Sequence, residues 1–237
     1  MSKERVAVIS DIHSNFHALE ALESKLETYD KVLCLGDLVG YGAFPNEVIR
    51  KICEKKWVTV IGNHDLAVIE GDTSNFNPVA AQAIIWTRKT IKKPNLEFIE
   101  RMEFKKLLDV GDITLGMFHG SPYSVSEYIF PLTPQQYLKQ LLAKAGDELG
   151  VRVDILLLGH THIPMAVKCG NSLVLNPGSV GQPRDRDPRA SYMELIINGR
   201  KAEYRVIREK YPVEEAAKSI IGENLPVFNA ERLFFGC

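Results

Sequence analysis

Five of the six histidines sit in short polar motifs, and each motif closes an apolar run. Asp11-Ile12-His13 ends the first run and Gly36-Asp37 the second. Gly62-Asn63-His64-Asp65 ends the third, and Phe118-His119-Gly120 and Gly159-His160-Thr161-His162 end two more. Apolar runs of four to eight residues bounded by turn residues read as buried strands. A chain built this way must bring several strand ends together, because α/β folds place ligands just beyond the carboxyl ends of their strands.

The segments between the motifs support that layout. Arg5–Ser10 predicts a buried strand, and Phe16–Tyr29 predicts a helix with Leu19, Leu22 and Leu26 on one face and Ser14 or Asn15 as N-cap. Lys31–Leu35 is a second strand, Pro45 opens a second helix, and Trp57–Ile61 is a third strand. Strand-helix-strand-helix-strand is the pattern of parallel βαβ units. From about 66 to 106 the chain reads as a helical insertion (Val79–Ile91 and Leu96–Phe104) packed near the site, too small to fold alone. A hairpin follows, turning at Gly111-Asp112, then a helix from Thr133-Pro134 with Leu138, Leu141, Leu142 and Ala145 on one face. Val151–Leu158 is a buried strand, and beyond Met165 short strands alternate with turns, Asn198-Gly199 being the strongest hairpin signal. After Pro212 we expect one short helix. The economical architecture is α/β: a four-layer αββα sandwich of two mixed sheets packed face to face, with helices outside, forming a single domain over 1–237.

Composition bounds the function. An apolar fraction of 45% and a charged fraction of 25% describe a globular chain with a real core, and a net charge of −1 gives no general attraction to nucleic acid or membranes. No apolar stretch approaches the roughly 18 residues of a membrane span, and the run after Met1-Ser2-Lys3-Glu4-Arg5 is too short for a signal-peptide core. The four cysteines form no CxxC pair; they suit a reduced cytoplasm, with Cys34 and Cys53 read as small buried hydrophobes.

Histidine, aspartate and asparagine are the nitrogen and oxygen ligands of borderline and hard divalent metals. Asp11, His13, Asp37, Asn63, His119, His160 and His162 are enough for two ions sharing one carboxylate, and Asp37, preceded by a glycine, suits the shared position. Two divalent ions against two carboxylates leave net positive charge. Such a centre should attract phosphate and lower the pKa of a bridging water, whose hydroxide then attacks phosphorus. His64 is the candidate general acid for the leaving group, with Asp65 beside it as an orienting carboxylate. Taken singly each motif has a plainer reading, and Gly-Asn-His-Asp also suits a helix cap; in order, each after a strand, they do not. His17, outside any motif, reads as an ordinary helix residue.

These residues resemble the calcineurin-like metallophosphoesterase superfamily, whose ordered pattern DxH, GD, GNH followed by D or E, H, GHxH is matched between residues 7 and 162. The resemblance implies the αββα sandwich and a dinuclear centre. Asp11, His13, Asp37 and His162 would hold one ion, Asp37, Asn63, His119 and His160 the other, and His64 would be the acid. Gly36 to Gly42, Pro45-Asn46-Glu47, His119-Gly120-Ser121-Pro122 and Asn176-Pro177-Gly178-Ser179 resemble the short prokaryotic branch of YfcE-type phosphodiesterases and bacterial diadenosine-tetraphosphatase-like proteins. The chain lacks the Asp-Arg-Gly of Ser/Thr protein phosphatases, carrying Gly40-Tyr41-Gly42 instead, which leaves the phosphate clamp unassigned. The implied activity is hydrolysis of phosphodiesters or dinucleoside polyphosphates. The alternatives are a phosphomonoesterase or phosphoprotein phosphatase of the same superfamily, and a non-catalytic metal-binding scaffold. Mn, Fe, Zn, Co and Ni are all admissible metals. The partner is a small phosphoester or nucleotide, and self-association into a homo-oligomer is left open.

Further residues carry two readings each. Asn176 and Ser179 are expected to line the site. Arg184 either grips phosphate bidentately or pairs with the alternating aspartates Asp185 and Asp187. Tyr128 and Phe130 either stack a base or anchor their loop. The basic insertion (Arg88, Lys89, Lys92, Lys93, Arg101, Lys105, Lys106) reads as a solvated helix face rather than a lid.

Overall fold

The structure, a computed structural model, describes residues 3–237, so Met1 and Ser2 of the N-terminal segment lie outside it. In chain order the elements are β1 (Glu4–Ile9), α1 (Phe16–Leu26), β2 (Lys31–Cys34), α2 (Pro45–Lys55), β3 (Val58–Thr59), α3 (Asn63–Glu70), α4 (Pro78–Thr90), α5 (Lys93–Ile99), β4 (Lys105–Val110) and β5 (Ile113–Phe118). Then follow α6 (Gln135–Leu149), β6 (Ile155–Leu157), β7 (Pro164–Cys169), β8 (Ser172–Pro177), β9 (Ala190–Asn198), β10 (Lys201–Glu209), α7 (Val213–Gly222), α8 (Val227–Glu231) and a 3₁₀ turn at Arg232–Phe234.

The strands form two five-stranded mixed sheets, ordered β10-β9-β1-β2-β3 and β4-β5-β6-β8-β7. In the first, β1, β2 and β3 run parallel, β9 pairs antiparallel to β1, and the edge strand β10 pairs antiparallel to β9; in the second, β5, β6 and β8 run parallel, flanked by antiparallel β4 and β7. The period-two alternation of side chains explains the layering. Val6 and Val8 of β1 point between the sheets, where they meet Leu115, Met117, Leu157 and Leu195. Ala7 and Ile9 point the other way, onto Leu19 and Leu22 of α1 and Ile49 and Ile52 of α2. Leu156 and Val174 turn from the second sheet towards Leu138, Leu141 and Ala145 of α6. The result is the expected αββα sandwich.

Several boundaries differ from the sequence expectation. β3 is only two residues long, and β6 three. The β9–β10 hairpin turns on Gly199-Arg200, with Asn198 still paired to Lys201. A helix absent from the expectation, α3, begins at Asn63 itself, so the cap reading of Gly-Asn-His-Asp and the ligand reading coexist. The tail carries α8 and a 3₁₀ turn after α7 rather than one short helix. Cys53 is exposed, not buried, because it falls on the outer face of α2, while Cys34 is buried in β2.

Within 66–106, three of the basic residues are engaged elsewhere than at the cleft. Arg88 donates to the carbonyls of Val68 (2.6 Å) and Ile69 (2.5 Å), closing the end of α3. Lys106 pairs with Glu103, and Lys105 with Glu148.

Candidate metal centre and catalytic cleft

Every motif lies at the carboxyl end of a parallel strand. Asp11 and His13 follow β1, Asp37 follows β2 and Asn63 follows β3; His119 follows β5, and His160 and His162 follow β6. The two sheets therefore deliver their ligands to one edge of the sandwich. Asp11, His13, His162 form one cluster of potential ligand atoms and Asp37, His119, His160 a second; His13, Asp37 and His64 also lie together, the atoms of each group within 4.8 Å of one another. All are buried.

The backbone at these positions is unusual. Asp11, His13, Asp37, His160 and His162 all have φ between 49° and 66°, where non-glycine residues are strained. Tertiary hydrogen bonds hold them there: Asp11 N–H donates to the Gly36 carbonyl and His13 N–H to the Asp37 carbonyl, each at 3.0 Å.

Hydrogen bonding orients each ligand and leaves one atom free. The His160 N–H donates to Asp11 Oδ2 (3.0 Å) and the His64 N–H to Asp37 Oδ1 (2.8 Å), while Asp11 Oδ1 and Asp37 Oδ2 are buried without a partner. His13 Nδ1 donates to the Val39 carbonyl (3.0 Å), His162 Nδ1 to that of Gln182 (2.5 Å) and His119 Nδ1 to that of Leu35 (2.6 Å). In the neutral rings each Nε2 is then a lone-pair acceptor. His160 is reversed: its Nε2 donates to the Ser126 carbonyl (3.1 Å), which frees Nδ1.

Acceptors then face acceptors. His13 Nε2 and His162 Nε2 lie 3.1 Å apart, and Asp11 Oδ1 is 3.3 Å from His162 Nε2. His119 Nε2 lies 3.1 Å from Asn63 Oδ1 and 3.3 Å from Asp37 Oδ2, which is itself 3.5 Å from His13 Nε2. Asp37 Oδ2 thus stands between the two clusters. Once His119 gives up its Nε2 proton, these converging lone pairs fit divalent cations, and all-N/O ligation suits borderline to hard ones.

The titration behaviour follows from burial. Burial holds His13 and His162 below the usual imidazole range and takes His64 down to about 4. Burial, with His119 alongside, takes His160 down to about 3. Burial opposes a proton on His119 too, but Asp37 and Asp11 outweigh it and raise that ring to about 9. Burial works against the Asp11 and Asp37 carboxylates, yet the surrounding imidazoles carry both below the ordinary range.

Three of the expected roles change. Asp65 does not orient the His64 ring. Its carboxylate accepts the N–H of Val39 (3.1 Å) and of Gly62 (3.0 Å), capping α3, and His64 Nδ1 is buried without a partner. Burial and Asp37 lift Asp65 to about 7. Asn176 does not face the cleft: it donates to the Gly159 carbonyl (2.6 Å) and Thr161 Oγ1 (3.1 Å). Ser179 donates to the Asp11 carbonyl (2.7 Å) and accepts the Gln182 N–H (2.8 Å). Both are fully buried and brace the ligand loops from behind.

Arg184, by contrast, lines the cleft, a cavity of about 170 Å³ that also meets Asp37, His64, His160 and His162. It is free to do so because Asp185 pairs with Arg208 and Asp187 with Arg189. Tyr128 lies on the rim, half-exposed, its ring 4.0 Å from that of His160 and stacked on Phe130. Phe76, from the loop between α3 and α4, faces His64 at 5.0 Å. The sequence reading overlooked Tyr41, whose buried ring adjoins both His13 (4.7 Å) and His64 (4.6 Å); the flanking Gly40 and Gly42 were its only signal. His17 stays outside the clusters, beside Phe44 and Ser219.

Two mixed sheets whose strand ends gather histidine and carboxylate clusters around a polar cleft define a metal-dependent phosphoesterase class of protein. The comparisons agree: residues 5–199 match the calcineurin-like phosphoesterase superfamily domain, and the chain belongs to that family. It is therefore a hydrolase of phosphoric esters. It is 34% identical to an uncharacterized protein of Methanocaldococcus jannaschii, both chains being covered in full. A metallophosphoesterase from Sphaerobacter thermophilus superposes with a TM-score of 0.81 at 30% identity, again over the whole of both chains. YfcE, a phosphoesterase from E. coli, shares the fold at a TM-score of 0.50 and 17% identity, covering 87% of this chain and 100% of its own. Among the described residues no helix is long and apolar enough to cross a membrane.

Proposed function

We propose that this chain, working as one domain with the helical segment 66–106 as its insertion, is a dinuclear metal-dependent hydrolase of phosphodiesters or dinucleoside polyphosphates. The observation that carries the reading is the position of Asp37 Oδ2, partnerless between the cluster of His13 and the cluster of His119. Asp11, His13, Asp37 and His162 would hold one ion, and Asp37, Asn63, His119 and His160 the other. When bound, two divalent ions would supply a water of lowered pKa and neutralise charge on the phosphoryl oxygens.

The protein's own groups do the rest. Arg184, aimed into the cleft, takes the clamp position that Gly40-Tyr41-Gly42 leaves open, although it lies far away in sequence. His64 lines the same cleft and is the proton donor to the leaving oxygen. In the free protein burial keeps its ring neutral near pH 7, and Arg184 reinforces this. A phosphate anion seated between them offsets Arg184 and favours the protonated ring, so the acid is armed as substrate binds. Tyr128 and Phe76 on the rim offer apolar surface to the second organic group that a diester carries and a monoester lacks.

The test is direct. Chelator-treated protein is supplied in turn with Mn²⁺, Fe²⁺, Zn²⁺, Co²⁺ and Ni²⁺ and assayed on bis-p-nitrophenyl phosphate. Turnover with at least one metal is expected, and two ions per chain at saturation. No turnover with any of them defeats the proposal.

A further inference from the structure

His160 differs from His13, His119 and His162 in what sets its ring. The carbonyls that fix those three belong to Val39, Leu35 and Gln182, all buried. The carbonyl that takes the His160 Nε2–H belongs to Ser126, an exposed residue of the loop between β5 and α6. A carbonyl oxygen only accepts, so this bond keeps the proton on Nε2 and the lone pair on Nδ1. Tyr128 of the same loop packs on the same imidazole. Were the Ser126 carbonyl to move, His160 would lose the group that selects its tautomer.

An exposed loop keeps a carbonyl on target only if something fixes the loop. Glu127, between Ser126 and Tyr128, does this. Its Oε2 accepts the Ser121 hydroxyl, and its Oε1 accepts the hydroxyl of Tyr137 on α6. Hydrogen bonds to an ionised carboxylate are roughly twice as strong as neutral ones. Ser121 Oγ in turn accepts the N–H groups of Tyr123 (3.0 Å) and Ser124 (3.2 Å), and the Ser121 N–H donates to the Ser124 carbonyl (2.8 Å). Gly120 lets the loop close on itself, since a Cβ there would lie 2.5 Å from the Val125 carbonyl oxygen. The loop leaves the chain directly after His119 and hooks its carbonyl onto His160, so it joins two residues of one ligand cluster. Ser126 and Tyr128 line the cleft, whereas the Glu127 side chain turns to α6.

We infer that Glu127 is a positioning residue: through Ser121 and Tyr137 it latches the loop whose Ser126 carbonyl selects the His160 tautomer, and so it sets the affinity of the ion held by His160 but not of the ion held by His162. The affinity clause rests on the dinuclear reading; the tautomer clause stands without it. Of the two ions, the one at His160 is then the more easily lost, because its ligand alone is set from an exposed loop.

The experiment uses the full-length protein with ¹⁵N-labelled histidine. Long-range nitrogen–proton spectra of chelator-treated samples near pH 7 report which ring nitrogen carries the proton, and calorimetry follows Mn²⁺ binding on the same samples. Burial leaves His13, His160 and His162 neutral at that pH. In the native chain His160 should be protonated on Nε2, and His13 and His162 on Nδ1. Glu127→Ala should mix the two His160 tautomers and weaken one of the two Mn²⁺ ions by about 10–100-fold, the worth of an outer support to a metal ligand, with the other ion unchanged. Tyr137→Phe, which removes one of the two hydroxyls, should act in the same direction and less. Glu127→Gln keeps one acceptor oxygen and should lie nearest to native. Melting temperature is recorded on every sample, and Tyr137→Phe carries the test if Glu127→Ala does not fold. A native His160 protonated on Nδ1, an unchanged tautomer in folded variants, or equal weakening of both ions overturns the latch. Two ions bound with an unchanged tautomer defeats the latch alone; fewer than two ions bound with a shifted tautomer upholds the latch and defeats the dinuclear reading.

Discussion

Asn176 at the end of β8 donates to the Gly159 carbonyl at 2.6 Å, and so clamps the loop that carries His160 and His162. The same amide group reaches Thr161 Oγ1, and its oxygen accepts the Gly178 N–H at 2.8 Å. Every polar atom of this buried side chain is engaged, and none faces the cleft. Asn176→Ala should therefore act on metal binding through loop geometry rather than by removing a ligand. Outer supports of this kind are worth about 10–100-fold in metal affinity. A metal titration followed by calorimetry should show that weakening, with a loss of about 1–3 kcal/mol in stability from the unpaired carbonyl. Unchanged metal affinity would return Asn176 to the role of a plain turn residue.

His64 separates two roles that proximity alone leaves entangled. It adjoins Asp37 and His13 closely enough to be a ligand, and it lines the cleft where a proton donor belongs. If it is the donor, His64→Ala should lower turnover by about 10²–10⁴-fold while the metal content measured by plasma emission stays near two per chain. A fall in metal content that tracks the fall in rate would make His64 a ligand instead.

What could be read from the chain, and what could not, follows from how local each signal is. The alternation of Val6 and Val8 against Ala7 and Ile9 is written in six residues, and β1 lies between its two layers as that alternation requires. The ligand types and their places after strands were legible for the same reason. The direction of a polar side chain in a turn is not local. Asn176 and Ser179 look like lining residues, yet their partners, Gly159 and Asp11, are set by the packing of other strands. Asp65 sits next to His64 in the chain, but the first turn of α3 points its carboxylate back to Gly62 and Val39. Tyr41 had only its flanking glycines as a signal, because its place against His13 and His64 exists only once the strand ends converge.

Gly62 offers a sharper test of the Asp37 position. A Cβ built there would lie 2.0 Å from Asp37 Oδ1 and 2.3 Å from Asp37 N. Gly62 has φ of −100°, so alanine there would not be strained by its backbone, only by this contact. Gly62→Ala should destabilise the protein by about 1–3 kcal/mol, the usual cost of overpacking. It should also push the Asp37 carboxylate off its present line, so that fewer than two metal ions per chain are retained. Normal melting with normal metal content would mean that this close approach is dispensable.

The chelator-treated chain should be less stable in mild acid, and the direction can be derived group by group. His13, His64, His160 and His162 are all depressed, His64 to about 4 and His160 to about 3, whereas in the unfolded chain they titrate near 6.5. As pH falls from 7 towards 4 the unfolded chain takes up these protons and the folded chain does not, so the stability they contribute is lost. His119, raised to about 9, is already protonated when folded; its contribution is complete below the unfolded value and declines as pH rises through 9. Asp65, raised to about 7, opposes the trend, since it gains its proton in the folded state before the unfolded carboxyl does. Four imidazoles against one carboxyl decide the sign: melting temperature should fall between pH 7 and 4. Added Mn²⁺ should raise it at neutral pH, and that gain should vanish in acid, because the metal competes with protons for the same lone pairs. A melting temperature that held level or rose over this interval would mean that the imidazoles are not buried as a neutral cluster, and with that the case for a preformed metal centre would fail.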